Sequence, residues 1–206
     1  MQSTMMGRAV RIAAAVAATI ALAGCANHPD TAKVPMGHGS PSAAGATQTG
    51  PASAFNDADV MFVQMMIPHH QQAVDMSDMI VAKSGVDPDV TALAKQIKAA
   101  QQPEVHTMET WLNAWGPNPM PEGAPHHLLS EGMLDEEQMQ VLDEATGREG
   151  QRRFVESMIQ HHQGAIHLAQ KEIAAGKHPE ATALARHIAA SQQREIDTMN
   201  RLLATR

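Results

Sequence analysis

The stretch FVQMMIPHHQQA, residues 62–73, returns later in the chain as FVESMIQHHQGA, residues 154–165. The helical period of about 100° per residue places its apolar residues and its two histidines on one face. That face carries Phe62, Met66, His69, His70 and Ala73 in the first copy, and Phe154, Met158, His161, His162 and Ala165 in the second. Each copy therefore predicts a helix whose inward, apolar face has two adjacent histidines at its middle.

The repeat extends beyond this stretch. Both copies are followed by a glycine, a proline and a Thr-Ala-Leu-Ala segment, at Gly85, Pro88 and 91–94 and at Gly176, Pro179 and 182–185. Such self-similarity indicates an internal duplication, and two copies of a helical hairpin can close into a bundle with pseudo-two-fold symmetry. We therefore predict an all-α fold, an antiparallel four-helix bundle. Its helices are predicted at about 57–84, 88–115, 150–175 and 179–204, with a short extra helix at about 134–145 in the central connection.

The first 24 residues have the parts of a bacterial signal peptide. Arg8 and Arg11 form a basic start, residues 12–23 are apolar, and Leu-Ala-Gly-Cys at 22–25 resembles the lipobox that precedes a lipidated cysteine. We therefore predict cleavage before Cys25, lipid attachment to it, and an exported protein anchored to the outer face of a bacterial membrane. The predicted domains are the signal peptide 1–24, a flexible tether 25–56 and the bundle 57–206, with repeat 1 at about 57–115, a linker at 116–149 and repeat 2 at about 150–204.

Composition excludes several classes of function. The formal net charge is -7, and loss of the signal peptide, with two arginines and no acidic residue, would make it -9. Such a chain lacks the basic footprint that nucleic acid requires. Cys25 is the only cysteine, so neither an internal disulfide nor a thiolate cluster can form. Twelve histidines and fifteen methionines remain as the unusual feature.

The polar residues of the inward face recur in both copies, whereas apolar residues change. Met76 becomes Leu168 and Trp111 becomes Leu202, but both histidine pairs recur, as do Gln101/Gln192, Glu104/Glu195 and Met108/Met199. Burying an unpartnered polar group costs about 1–3 kcal/mol on protein scales, so these side chains must bind each other, water or metal. A His–Glu network that only fixes helix register is one interpretation. The duplicated Met-x-x-His-His facing a duplicated Glu-x-x-x-Met favours a metal site.

The donor types favour copper. Met66 lies one turn before His69 and His70, so its thioether and both imidazoles lie on adjacent turns of one face. Thioether and imidazole select soft metals, above all Cu(I), while imidazole with carboxylate also accepts Cu(II) or another divalent metal. Whether the glutamates bind metal or orient the histidines stays open, as does the number of sites. The candidate metal ligands are Met66, His69, His70, Glu104, Met108, Met158, His161, His162, Glu195 and Met199.

At these residues the chain resembles the domain-of-unknown-function 305 family. The signatures are Met-Ile-Pro-His-His-Gln-Gln-Ala at 66–73, Met-Ile-Gln-His-His-Gln-Gly-Ala-Ile at 158–166, and the segments Gln-Gln-Pro-Glu and Gln-Gln-Arg-Glu, with Met108 and Met199. The resemblance covers about residues 57–204. It implies a ferritin-like four-helix bundle that is usually exported. Because some members bind copper or silver and contribute to copper tolerance, it also implies metal handling through Met66, His69, His70, Met158, His161 and His162.

Three functions fit these residues. The preferred one is a lipid-anchored, extracytoplasmic protein that is not an enzyme and binds copper for sequestration or tolerance. The alternative is a non-catalytic envelope interaction protein, with unidentified protein partners, whose buried His–Glu networks are purely structural. A metal-dependent oxidase is disfavoured, because ferritin-like di-iron sites need Glu-x-x-His on two helices and the sequence contains none.

Overall fold

The computed structural model describes residues 54–116 and 131–205, and every regular element in this part of the chain is a helix. The predicted signal peptide, Cys25 and nearly all of the predicted tether lie outside the described residues. None of the helices in the two described ranges is long and apolar enough to cross a bilayer. The helices are α1 (Asp57–Ala82), α2 (Pro88–Trp115), α3 (Glu136–Glu144), α4 (Gly147–Ala175) and α5 (Pro179–Ala204), which confirms the all-α class.

Capping side chains fix where the helices of the two hairpins begin. Asn56 accepts the backbone N–H groups of Ala58 and Asp59, and the Asp59 carboxylate accepts the N–H of Asn56 in return. Asp87 caps α2 and His178 caps α5, each directly before a proline. Such caps satisfy N–H groups that have no partner within the helix, and a proline at the first helical position has no N–H to lose. The predicted starts of α1, α2 and α5 are therefore confirmed.

Only one of the two repeat glycines lies directly at the end of its helix. Gly176 is the C-cap of α4, which ends at Ala175, as predicted, and a Cβ at Gly176 would collide with the Glu172 carboxyl group. The C-cap of α1 is Lys83, in an extended conformation, so α1 ends at Ala82, slightly before the predicted end. Gly85 lies in the turn beyond this cap, with a φ of 74° that glycine adopts without a Cβ clash.

Two hairpins form the bundle and meet through their first helices. α1 packs along α2, α4 packs along α5, and α1 packs against α4, while α3 contacts α4 and α1. Large apolar side chains fill the space inside, among them Met66, Met76, Phe154, Met158 and Leu168. This is the predicted bundle of duplicated hairpins. It brings the inward faces of α1 and α4, with their histidine pairs, together at its centre.

Candidate metal centre

Both histidine pairs lie inside the bundle. His69 is 1% exposed, and His70, His161 and His162 are 0% exposed. The rings of His69 and His161 meet between α1 and α4, with centroids 3.8 Å apart and planes at 47°. The predicted inward faces are therefore confirmed, and the two pairs come together where the hairpins meet.

One histidine of each pair is held by a glutamate of its own hairpin. His70 Nε2 lies 2.9 Å from Glu104 Oε2, and His162 Nε2 lies 2.6 Å from Glu195 Oε2. With the carboxylate as acceptor, Nε2 carries the ring proton and Nδ1 carries the lone pair. Neither Nδ1 atom has a hydrogen-bond partner among the described residues. The duplicated glutamates thus fix two rings in one tautomer, each with a buried lone pair.

His69 is held by the backbone of the linker between the two repeats. Its Nε2 lies 3.0 Å from the carbonyl oxygen of Glu131. A carbonyl oxygen only accepts, so Nε2 must be the protonated nitrogen and Nδ1 the one with the lone pair. This Nδ1 is also buried without a partner in the part of the chain that is described. Three of the four rings therefore share one arrangement.

His161 is the exception. Neither of its ring nitrogens makes a hydrogen bond of acceptable geometry with any described residue, although the backbone of His69 approaches closely enough to oppose the lowering of its pKa. Its ring packs against that of His69 and lies 6.4 Å, between centroids, from that of His162. His161 is thus buried but not tied to one tautomer.

Burial keeps His69, His161 and His162 neutral. Desolvation lowers the pKa of His69 from 6.5 to about 3, with a further lowering from the adjacent His70. Burial, followed by the influence of the neighbouring histidines, lowers the pKa of His161 well below 6.5. Burial also lowers the pKa of His162, although Glu195 opposes that shift. Since the neutral imidazole is the form that binds a metal, these rings need lose no proton at pH 7 to become ligands.

The thioethers of the predicted donor set are all inside the bundle. The four methionines are 0% exposed: Met66, Met108, Met158 and Met199. Met66 and Met158 occupy matching positions, one helical turn before the two histidine pairs. The glutamates reach further out, because 13% of the Glu104 side chain and 20% of the Glu195 side chain is exposed.

Imidazoles and carboxylates alone do not form a metal cage. Within the described ranges, no group of three or more His, Cys, Asp and Glu side chains is placed to hold a metal ion. The glutamates are placed to orient histidines, since one oxygen of each already accepts a ring N–H. A metal in this core would therefore need sulfur beside nitrogen, which is the donor set of a soft ion. The buried, unpartnered Nδ1 atoms fit such an ion.

The polar character of the inward face continues beyond the histidines. Gln101 and Gln192 are each 2% exposed, and both side-chain polar atoms of Gln101 lack a partner among the described residues. Toward the surface, His187 Nε2 lies 3.8 Å from Glu104 Oε1, and the His187 side chain is 65% exposed. Polar groups thus extend from buried His70 to solvent on this side of the bundle.

A separate acidic pair lies where α1 begins beside the α4–α5 turn, and the sequence did not predict it. The buried Asp59 carboxylate accepts backbone N–H groups of Asn56, Lys177 and His178 at 2.6–3.0 Å. Burial, and then a hydrogen bond with Asp59, raise the pKa of Glu172 to about 8. At neutral pH a protonated Glu172 therefore shares its proton with ionised Asp59. The carboxyl pair joins the start of repeat 1 to the middle of repeat 2.

Comparison with known proteins places the chain in a family. The profile described as a domain of unknown function, DUF305, matches residues 59–203. A DUF305 protein of Streptomyces coelicolor, predicted to be secreted, is similar at 30% identity and a TM-score of 0.67, over 72% of this chain and 91% of its own. A DUF305 fragment from Deinococcus radiodurans is similar at 33% identity and a TM-score of 0.65, over 73% and 98%. CopM in its Cu(I)-bound form is similar at 32% identity and a TM-score of 0.59, over 71% and 96%, and CopM is also solved in a Cu(II)-bound form. No curated protein matches the chain.

Proposed function

This chain belongs to the DUF305 family, and from that premise and its histidine cluster we propose that it binds copper inside the bundle. The observation that carries the proposal is the set of three buried imidazoles whose Nε2 atoms point at oxygen acceptors. Each leaves a buried Nδ1 lone pair without a partner among the described residues. A metal ligated by histidine commonly has a carboxylate or a carbonyl on the other ring nitrogen. Here that arrangement occurs three times.

Copper is favoured over harder metals by the other donors of the core. Met66 and Met158 are fully buried and lie one helical turn before the histidine pairs, which places thioether sulfur on the same helix faces as the imidazoles. Thioether and neutral imidazole together favour Cu(I). The similar protein CopM is solved with Cu(I) and with Cu(II). In this proposal Glu104 and Glu195 orient histidines instead of binding the ion, and the bound copper is cargo that the protein sequesters, with no turnover.

The competing function, a purely structural His–Glu network, has a specific weakness. Such a network would satisfy the polar atoms that it buries, because an unpartnered buried group costs about 1–3 kcal/mol. The Nδ1 atoms of His69, His70 and His162 and both nitrogens of His161 are left without partners in the described structure. A structural network therefore explains only the Nε2 side of these rings.

We also propose that copper is bound outside the cytoplasm by a lipid-anchored protein. The proposal is supported by the basic start, the apolar run and the Leu-Ala-Gly-Cys segment of residues 1–25, and by the similarity to a Streptomyces coelicolor protein predicted to be secreted. Metabolic labelling with a fatty acid tests it, since the label should enter the full-length protein and be absent from Cys25→Ala. Label retained by that variant would contradict attachment at Cys25.

The copper proposal is tested by removing sulfur without removing volume. Leucine and methionine exchange in cores typically costs less than about 1.5 kcal/mol, so Met66→Leu/Met158→Leu should stay folded. Competition with a chromophoric Cu(I) chelator, under reductant and without oxygen, gives the Kd. We expect the double variant to raise it tenfold or more, a loss of about 1.4 kcal/mol or more.

Met76→Leu is the matched control. Met76 is 0% exposed on the same helix, and repeat 2 has Leu168 at the corresponding position. The Kd of Met76→Leu for Cu(I) should equal that of the wild type. Equal losses in both variants would mean that packing, not ligation, sets affinity, and no loss in either would remove the thioethers from the site.

A second pair of variants tests the nitrogen ligands. His70→Gln/His162→Gln keeps an N–H donor for each glutamate and removes two Nδ1 lone pairs. We expect the thermal stabilisation by Cu(I) to shrink strongly, whereas His106→Gln, at an exposed position of α2, should leave it unchanged. Full stabilisation of the double variant would contradict ligation by these rings.

A further inference from the structure

Residues 131–134 of the linker lie against α1 beside one of the buried histidines. Gln72 Nε2 donates to the Leu134 carbonyl at 2.8 Å, and the Leu134 N–H donates to Gln72 Oε1 at 2.8 Å. The carbonyl oxygen of Glu131 accepts from His69 on the same helix face. Residues 131–134, called the strap below, are thus tied to α1 by three hydrogen bonds, one at His69 and two at Gln72, one helical turn further along.

The strap lies against α4 because α4 has a glycine there. A Cβ on Gly164 would collide with the carbonyl group of Glu131, and one on Gly132 would lie 2.6 Å from the Gln160 carbonyl oxygen. Gly132 also has a φ of 77°, which favours glycine. Repeat 1 has Gln72 where repeat 2 has Gly164. At this pair of positions the pseudo-two-fold symmetry is broken, because α1 binds the strap and α4 makes room for it.

We propose that the strap is a positioning element for the metal site, which acts through the Glu131 carbonyl on the ring of His69. The proposal rests on the copper function proposed above. The carbonyl does for His69 what Glu104 does for His70 and Glu195 does for His162, since it fixes the proton on Nε2 and leaves Nδ1 for the ion. Because no second strap crosses the other half of the described bundle, His161 keeps an unfixed ring and adapts to the bound ion.

Gly164→Ala tests the role of the strap, because it should displace the strap and leave α4 intact. Alanine is more favourable than glycine inside a helix, so α4 itself should not be weakened. Its Cβ meets the Glu131 carbonyl and displaces the strap from His69. Gln72→Ala releases the strap from the other side, by removing both bonds to Leu134.

Glu131→Ala is the control, because it keeps the carbonyl. It removes only the side-chain contacts of Glu131 with His167 at 3.4 Å and Lys171 at 3.5 Å. Such partly exposed polar contacts contribute little to stability. This variant should retain the strap and the wild-type properties of the site.

Two readouts decide the proposal in the full-length protein. Nitrogen chemical shifts of His69 in the metal-free protein report its tautomer, which should be fixed with the proton on Nε2 in the wild type and Glu131→Ala, and become mixed in Gly164→Ala and Gln72→Ala. The Kd for Cu(I) should rise about tenfold in the last two, the low end of the usual loss when an orienting group is removed. An unchanged His69 tautomer, or an unchanged Kd with an altered tautomer, would overturn the positioning role. If the wild type bound no Cu(I), the copper proposal would fail instead, and the tautomer measurement would still show whether the strap orients His69.

Discussion

Acid should destabilise the folded protein through the buried histidines. The pKa of His69 is lowered from 6.5 to about 3, and those of His161 and His162 are lowered as well, with burial as the main cause in all three. A folded-state pKa below the unfolded value means that the unfolded chain takes up the proton first. The stabilisation is therefore complete above about pH 6.5 and is lost as the pH falls toward 3.

The loss can be worked out for His69. Each unit of pKa difference corresponds to about 1.36 kcal/mol. With an unfolded pKa of 6.5 and a folded pKa of about 3, the unfolding free energy falls by about 2 kcal/mol between pH 7 and pH 5. His161 and His162 add losses of the same sign. Against an ordinary total of about 5–15 kcal/mol, this is a large change.

The opposing titration of Glu172 must be removed before this effect can be measured. Its pKa is raised to about 8, so the folded state holds a proton that the unfolded chain releases above about pH 4.5. This contribution is full below pH 4.5 and is lost as the pH rises toward 8, which opposes the histidine effect. Glu172→Gln keeps an N–H donor for Asp59 and does not titrate.

The assay is urea unfolding of the metal-free Glu172→Gln protein at pH 7, 6 and 5. We expect the unfolding free energy to fall by at least about 2 kcal/mol over this range, and adding His69→Gln should remove about 2 kcal/mol of that fall. A fall of less than about 0.5 kcal/mol would refute the reasoning, because rings that protonate while folded cannot be buried and neutral.

Two further predictions concern the acidic pair. Because Glu172 titrates, the wild type should lose about 3 kcal/mol of unfolding free energy between pH 5 and pH 8 relative to Glu172→Gln. Urea midpoints that change with pH by the same amount in both proteins would contradict the raised pKa of Glu172. Asp59→Ala should cost about 3 kcal/mol or more in urea unfolding, because three backbone N–H groups lose their acceptor, while Asp59→Asn, which keeps one oxygen, should cost less. Equal costs for Ala and Asn would mean that charge, not hydrogen bonding, holds this end of the bundle.

The copper proposal makes the acid experiment functionally relevant. An exposed histidine loses metal to protons below its ordinary pKa, whereas His69 resists protonation to about pH 3 while the bundle is folded. The ratio of the Kd of His69→Gln for Cu(I) to that of the wild type should therefore change by less than about threefold between pH 7 and pH 5.5, a change of about 0.6 kcal/mol. A tenfold fall of that ratio per pH unit in the chelator competition would show that protonation of His69 controls its part of the binding.

The sequence by itself determined the helices and the inward face. Asn56, Asp87 and the two hairpin prolines fix helix starts through local hydrogen bonds and backbone geometry, so they act the same way in any fold. The 3.6-residue period put the histidines inside because a helix has only one apolar face to bury. The duplication then predicted the two-hairpin bundle, since each copy must cover the face of the other.

Only the tertiary structure decided which atom each histidine contacts. Residues 131–133 lie outside every predicted helix, so nothing in the sequence predicted that the Glu131 carbonyl would reach His69. The signal was the mismatch of Gln72 with Gly164, one of several between the repeats, and it is interpretable only once the strap is seen to pass between these two residues. The pairing of Asp59 with Glu172 was equally hidden, because it joins residues far apart in the chain. Local patterns fix what a helix buries, but the partner of each buried polar atom depends on how the helices and the linker pack.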